Sequence, residues 1–309
     1  MSYCTDIADI IAGYRLKDRK NGDLRLNIDQ YHVERWADQF PNNQEIILLE
    51  TKHLLEQLYV TKDDIAEYLK IVCTSENIWG CDPEAAISDA YFLNCQEKGN
   101  SQHRLWKKAN KIVKEIYGFE LSNNQEYSNY STFIYMDDGM FSGRTLLNDI
   151  KDFLPSIPCN AKVYAIFLIG HSFADWWVKE SLKPLLKEKN IEFQICSYAT
   201  LQNSSGSSYP FDCLRPVAYE SDAINQYIAE LQQENMLVAE KKIFTFRDEK
   251  LPSSGLFTSE KNRCIFEQEL MEAGLRIRSF PKDTKPYMRP MGYDNRISFG
   301  FGAFFATYM

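Results

Sequence analysis

With 309 residues, 44% of them hydrophobic and 25% charged, the chain can bury a substantial core and is excluded from the disordered class. Its formal net charge of -8 and pI near 5.2 exclude a large basic surface for duplex nucleic acid, because phosphate neutralisation supplies most of that affinity. Small polyanionic ligands stay compatible, since a helix N-terminus and a few cations suffice to hold a phosphate.

The N-terminus MSYCTDIADI lacks a basic region followed by an apolar run, and no uncharged apolar stretch approaches the ~20 residues of a membrane helix. The eight cysteines include no CxxC pair and read as reduced thiols. Together these features predict a cytoplasmic protein without membrane contact. Apolar positions recur at three and four residues in DIADIIAGYRL, HVERWADQF and LLETKHLLEQLYV, with breaks at NGDLRLN and PNN. Thr61 followed by Asp63 and Asp64 marks a helix start. Residues 1–72 therefore read as an N-terminal helical extension.

Residues 73–309 read as an α/β domain with C-terminal additions, the two segments being separable or one compact unit. It opens with a loop through IWGCDPEAA, a short strand in AYFLNC, a polar turn at QEKGNSQ, and the basic helix HRLWKKANKIVKEIYG ending at Gly118. Thr132 to Met136 is a buried strand expected to stop at two aspartates. Then come the loop DDGMFSGR, the helix TLLNDIKDFL and the strand AKVYAIFLI, an order that implies a parallel sheet. The helix FADWWVKESLKPLLKEK, with Pro184 expected to kink it, leads to the strand IEFQICSYA. Beyond the loop LQNSSGSSYPFD lie the helix AINQYIAELQQENML, a strand KIFTF and the helix SEKNRCIFEQELMEAGLRI, with Gly274 near its end. The apolar tail SFGFGAFFATYM reads as β-like, without the polar turn that would normally follow such a strand.

Chemistry concentrates in FIYMDDGMFSGRT. The carboxyl end of a parallel strand and the N-terminus of the following helix face one crevice, where open α/β sheets bind ligands. Amides of a tight loop entering a helix form an anion nest, Gly143 permits close approach, and the hydroxyls of Ser142 and Thr145 add donors. Asp137 and Asp138 can accept hydrogen bonds from ribose hydroxyls, directly or beside a hydrated Mg²⁺. The pattern as a whole suits a sugar phosphate.

This segment resembles the phosphoribosyl pyrophosphate (PRPP) motif of type I phosphoribosyltransferases: an apolar strand, two acids, three variable residues and a Ser/Thr-Gly-x-Thr loop. The resemblance implies a Rossmann-like parallel sheet and a loop of Gly139, Met140, Phe141, Ser142, Gly143, Arg144 and Thr145 around the phosphate. It also implies PRPP-dependent glycosyl transfer, with Asp137 and Asp138 stabilising positive charge on the ribose. Mg²⁺ is then held through the ligand and these two acids, with no direct side-chain metal cluster. HVERWADQF, FLIGHSF and RPMGYD further resemble the divergent bacterial PRTase-CE branch of anti-phage and other conflict systems. That likeness implies protein partners from a defence operon. It leaves open the acceptor, homo-oligomerisation, and the alternative of a catalytically inactive nucleotide sensor or regulatory subunit.

The pyrophosphate loop of well-studied members has no unambiguous counterpart. QEKGNSQHR, with Lys98, Gly99, Ser101 and Arg104, is the candidate, against a plain surface turn. His171 follows a strand at the edge where the acids lie and is a candidate near the acceptor, against a capped structural histidine. His32, His53 and His103 lack metal-ligand spacing. The five tryptophans read as core or interface anchors, and HRLWKKANK as a solvated helix face.

Overall fold

The computed structural model describes residues 2–14, 28–95, 101–121, 126–203, 210–233, 246–251, 255–281, 288–293 and 306–307. Its helices begin with α1 (Tyr3–Ile10), α2 (Gln30–Ala37), α3 (Gln44–Leu58), α4 (Lys62–Thr74), α5 (Glu76–Trp79), α6 (Pro83–Ser88) and α7 (Ser101–Tyr117). They continue with α8 (Arg144–Phe153), α9 (Ser172–Glu188), α10 (Asp222–Gln233) and α11 (Glu260–Arg278). Four strands form the main sheet: β1 (Ala90–Phe92), β2 (Thr132–Met140), β3 (Lys162–His171) and β4 (Glu192–Leu201). Contacts divide the chain into two compact units, Met1–Tyr59 with Gln202–Tyr308, and Val60–Leu201.

The Val60–Leu201 unit carries the sheet, in spatial order β1-β2-β3-β4 with every pairing parallel. All four carboxyl ends therefore lie at one edge. The near-continuous apolar runs of β2 and β3 follow from burial on both faces. Phe133, Tyr135, Val163, Ala165 and Phe167 pack with Leu146, Leu147 and Ile150 of α8 and Ala174, Val178 and Leu182 of α9. Helix α7 packs on α4 and β2. Helix α4 starts in a capping box: Thr61 Oγ1 accepts from Asp64 N–H at 3.1 Å, and Asp64 Oδ2 accepts from Thr61 N–H at 2.8 Å.

Two local expectations change. The segment IWGCDPEAA contains two short helices, because Asp82 caps α6 and Pro83 occupies its first turn. Strand β2 does not stop at the aspartates but runs to Met140, because β3 is long enough to pair Asp137 with Phe167, Gly139 with Ile169 and Met140 with Gly170. Pro184 lies within α9, which runs from Ser172 to Glu188. Of the expected strand KIFTF all but Phe246, and of the apolar tail all but Ala306 and Thr307, lie outside the described residues.

In the other unit, α1, α2 and α3 share a core of Cys4, Ile7, Ala8, Val33, Ala37, Leu48 and Leu55. Helix α11 packs on α3 and α10. Asn43 Nδ2 donates to Glu269 Oε1 at 2.6 Å, and Thr258 N–H donates to the buried Glu50 Oε2 at 3.2 Å. Gly274 lies near the end of α11, as expected, four residues before Arg278. A Cβ there would lie 2.2 Å from the Pro290 carbonyl oxygen, so only glycine lets the two backbones approach. No helix among the described residues is long and apolar enough to cross a membrane.

The centre of this unit is ionic. Buried Glu267 accepts from Arg263 Nε at 2.9 Å, Arg247 Nη2 at 3.1 Å and Arg215 N–H at 3.1 Å. Arg263 Nη2 also donates to the carbonyls of Phe211 at 2.7 Å and Cys213 at 3.2 Å. Side chains of α11 thereby fix the backbone of 211–215. Breaking a buried pair strands its partners, so Glu267→Gln is expected to cost about 3–5 kcal/mol in thermal or urea unfolding. Glu260, half-exposed and 2.7 Å from Arg247, should cost under about 1 kcal/mol when changed to Gln.

Candidate functional site at the sheet edge

Between β2 and α8 only Phe141, Ser142 and Gly143 intervene. Gly143 caps α8 with φ 73° and ψ -4°, the left-handed region. A Cβ on it would meet Val178 Cγ2 at 2.6 Å and the Ala174 carbonyl oxygen at 3.3 Å. Glycine is thus required both for the turn and for seating the loop on α9. Leu146, Leu147 and Ile150 bury one face of α8, while Ser142, Arg144 and Thr145 stay exposed at its entrance. Arg144 N–H donates to Ser142 Oγ at 3.3 Å. Gly143 has no side chain to cap the helix, so its first-turn amides and positive dipole end suit an anion.

Asp137 is 7% exposed and Asp138 half-buried. Asp137 Oδ1 accepts from Ser101 Oγ at 2.6 Å and from Asp138 N–H at 2.9 Å. The two carboxyl groups also hydrogen-bond each other. Burial, then the neighbouring Asp137 charge and this bond, push Asp138 up to about 6, against the backbone amides of Asp138 and Gly139, which favour its anion. Below that pH Asp138 carries a proton. Behind it, Tyr135 O–H donates to Asp149 Oδ2 at 2.9 Å, and burial raises Asp149 as well.

Of the more distant candidates, Ser101 joins the site through Asp137, and Arg104 is exposed in the first turn of α7. Lys98 and Gly99 lie outside the described residues. His171, the last residue of β3, is fully buried beneath the loop. Its ring stands edge-on to Phe141 with centroids 5.2 Å apart and hydrogen-bonds the Phe141 backbone. Burial pushes its pKa down to about 4, so the ring is neutral at physiological pH. Met140 is buried, and Gly139 lies against the Phe141 ring. The Tyr135–Asp149 pair and the seating of Gly143 on α9 escaped sequence reading, since each joins residues on different elements.

Two carboxyl groups this close favour a proton, a cation or hydroxyl donors between them. Among the described residues no group of three or more His, Cys, Asp or Glu could hold a metal. The pair fits Mg²⁺ only where phosphate and hydroxyl oxygens of a ligand complete the shell. Paired acids and a glycine-seated helix entrance, at the carboxyl edge of a parallel sheet, define a phosphoribosyltransferase-like protein. The chain belongs to the PRTase-CE family, whose pattern it matches over residues 33–309. Comparison with curated proteins and with solved structures gave no match.

Gly143→Ala is expected to lose about 1–3 kcal/mol of stability in denaturant unfolding, from the left-handed φ and the Val178 contact. For Asp138 the sign runs the other way. Its folded-state pKa lies above the unfolded value, so the native state holds the extra proton and stability falls as pH rises from about 4 through about 6. Asp138→Asn should therefore raise the melting temperature at pH 7.5, by at most about 3 kcal/mol in free energy, and change little below pH 4.

Proposed function

We propose that the sheet-edge site binds PRPP or a related ribose phosphate and, with Mg²⁺, transfers the phosphoribosyl group to an acceptor as an effector of bacterial anti-phage defence. The observation that carries this reading is the hydrogen-bonded Asp137–Asp138 pair beside the helix entrance at Gly143. The amides of the first turn of α8, with Ser142 and Thr145, meet the 5′-phosphate. Asp137 and Asp138, as anions, accept from the 2′ and 3′ hydroxyls and face the positive charge that builds on the ribose as the C1′–O bond to pyrophosphate breaks. Mg²⁺, when bound, neutralises the departing diphosphate. Ser101 holds Asp137 in place, and neutral His171 is a positioning residue that fixes Phe141 and so the loop.

Calorimetric titration of PRPP with Mg²⁺, paired with a pyrophosphate-release assay, tests the reading. Wild type should bind and release pyrophosphate, and Asp138→Asn should lose roughly 10²-fold or more in turnover. Affinity should weaken as pH drops below about 6, where Asp138 takes up its proton, with no second step near the usual histidine range. Binding without release selects the inactive sensor or regulatory subunit. Absence of PRPP binding at millimolar concentration refutes the ribose-phosphate site itself.

A further inference from the structure

Helix α7 carries an arrangement that the ribose-phosphate reading does not use. Within Ser101–Tyr117 stand Arg104, Lys107, Lys108, Lys111 and Lys114 against one acid, Glu115, in a chain with a formal net charge of -8. Gln102, Leu105, Ala109 and Val113 are its buried face. At 3.6 residues per turn, Arg104, Lys107, Lys111 and Lys114 fall within an arc of roughly 80° on the opposite side. All four are exposed. The stripe begins one turn from Ser101, whose hydroxyl touches Asp137, and runs along about 15 Å of helix.

A solvated helix face would distribute its charges differently. The N-terminus of a helix is its positive end, where cations are unfavourable and acids stabilise. Helix α7 has no acid in its first turn, yet Arg104, Lys107 and Lys108 occupy its first two turns. Further along, Lys111 and Lys114 have acidic neighbours, Glu115 at 3.5 Å and Glu120 at 2.5 Å, in exposed pairs that hold little energy. Cations kept where they oppose the helix serve something outside it. Flat rings border the stripe: His103 and Trp106 stack with centroids 6.0 Å apart and planes 8° apart, and His103 is exposed.

We propose that this stripe binds the backbone of a single-stranded nucleic acid and delivers it toward the sheet-edge site. A linear row of cations beside a stacking ring suits a flexible strand, whose phosphates repeat along it and whose bases offer π-faces. A duplex would need the broad basic surface that the overall charge excludes. The inference goes beyond the ribose-phosphate reading, and its test runs without PRPP, so either can fail alone.

The test is fluorescence anisotropy of a labelled oligothymidine and a labelled oligouridine strand at low salt. Wild type should bind, with affinity falling as salt rises by about 0.7 in log–log slope per phosphate neutralised. K107E/K111E should weaken binding by roughly tenfold and flatten that slope by about 1.4. It should keep its PRPP affinity and its cooperative melting, because both side chains are exposed and the Lys111–Glu115 pair that is lost holds little energy. K107Q/K111Q, which adds no charge repulsion with Glu115, should show the same loss to a smaller degree. No anisotropy change at low salt, equal binding by the charge-reversed variant, or equal competition by a polyglutamate peptide overturns the proposal.

Discussion

Two carboxyl groups within hydrogen-bonding reach of each other, at the edge of a parallel sheet, cannot both ionise freely. Asp137 and Asp138 are adjacent on β2, whose pairing with β3 includes Asp137, Gly139 and Met140, and Asp137 Oδ1 accepts from the Asp138 N–H. Ser101 fixes Asp137 from another element. Burial, and then the Asp137 charge, raise the Asp138 pKa. The pair is therefore costly as it stands, and hydroxyl donors or a cation placed against it would lower that cost.

The surroundings serve to hold that conflict in one geometry. Gly143 turns the chain where no side chain fits against Val178, and buried His171 holds the backbone of Phe141 from below. The loop is therefore seated on α9 at one end and on the end of β3 at the other. Its members Ser142, Arg144 and Thr145 are exposed. A loop supported in this way loses little freedom on binding, so its hydrogen bonds contribute to affinity.

What the sequence disclosed, and what it did not, follows from the range of the interactions. FIYM, the two acids and Ser142-Gly143-Arg144-Thr145 form a local signal, and local signals survive without knowledge of the fold. The resemblance to type I phosphoribosyltransferases rested on that signal, and the parallel sheet and the family both follow it. The end of β2 was misplaced because its continuation depends on partners in β3, thirty residues later, which no local pattern contains. The reason for Gly274 near the end of α11, the Pro290 carbonyl, comes from elsewhere in the chain and no local pattern contains it. The Arg263–Glu267–Arg247 network left no trace in the sequence, since charges on a helix ordinarily read as a solvated face.

The connectivity also sets the electrostatics of the edge. Each of β1, β2 and β3 is followed by a helix, and α9 starts directly at the end of β3 while α7 starts at the residue touching Asp137. Positive helix ends thus converge near two acids, each contributing up to about 1 kcal/mol to a nearby anion. That field explains why the acids are tolerated so close together, and it acts equally on a phosphate. The three helices then diverge in chemistry. α9 answers its own dipole with Asp175, bonded to Lys179 at 2.9 Å, and α8 leaves its end to glycine and hydroxyls. α7 instead has no acid in its first turn and carries Arg104 there.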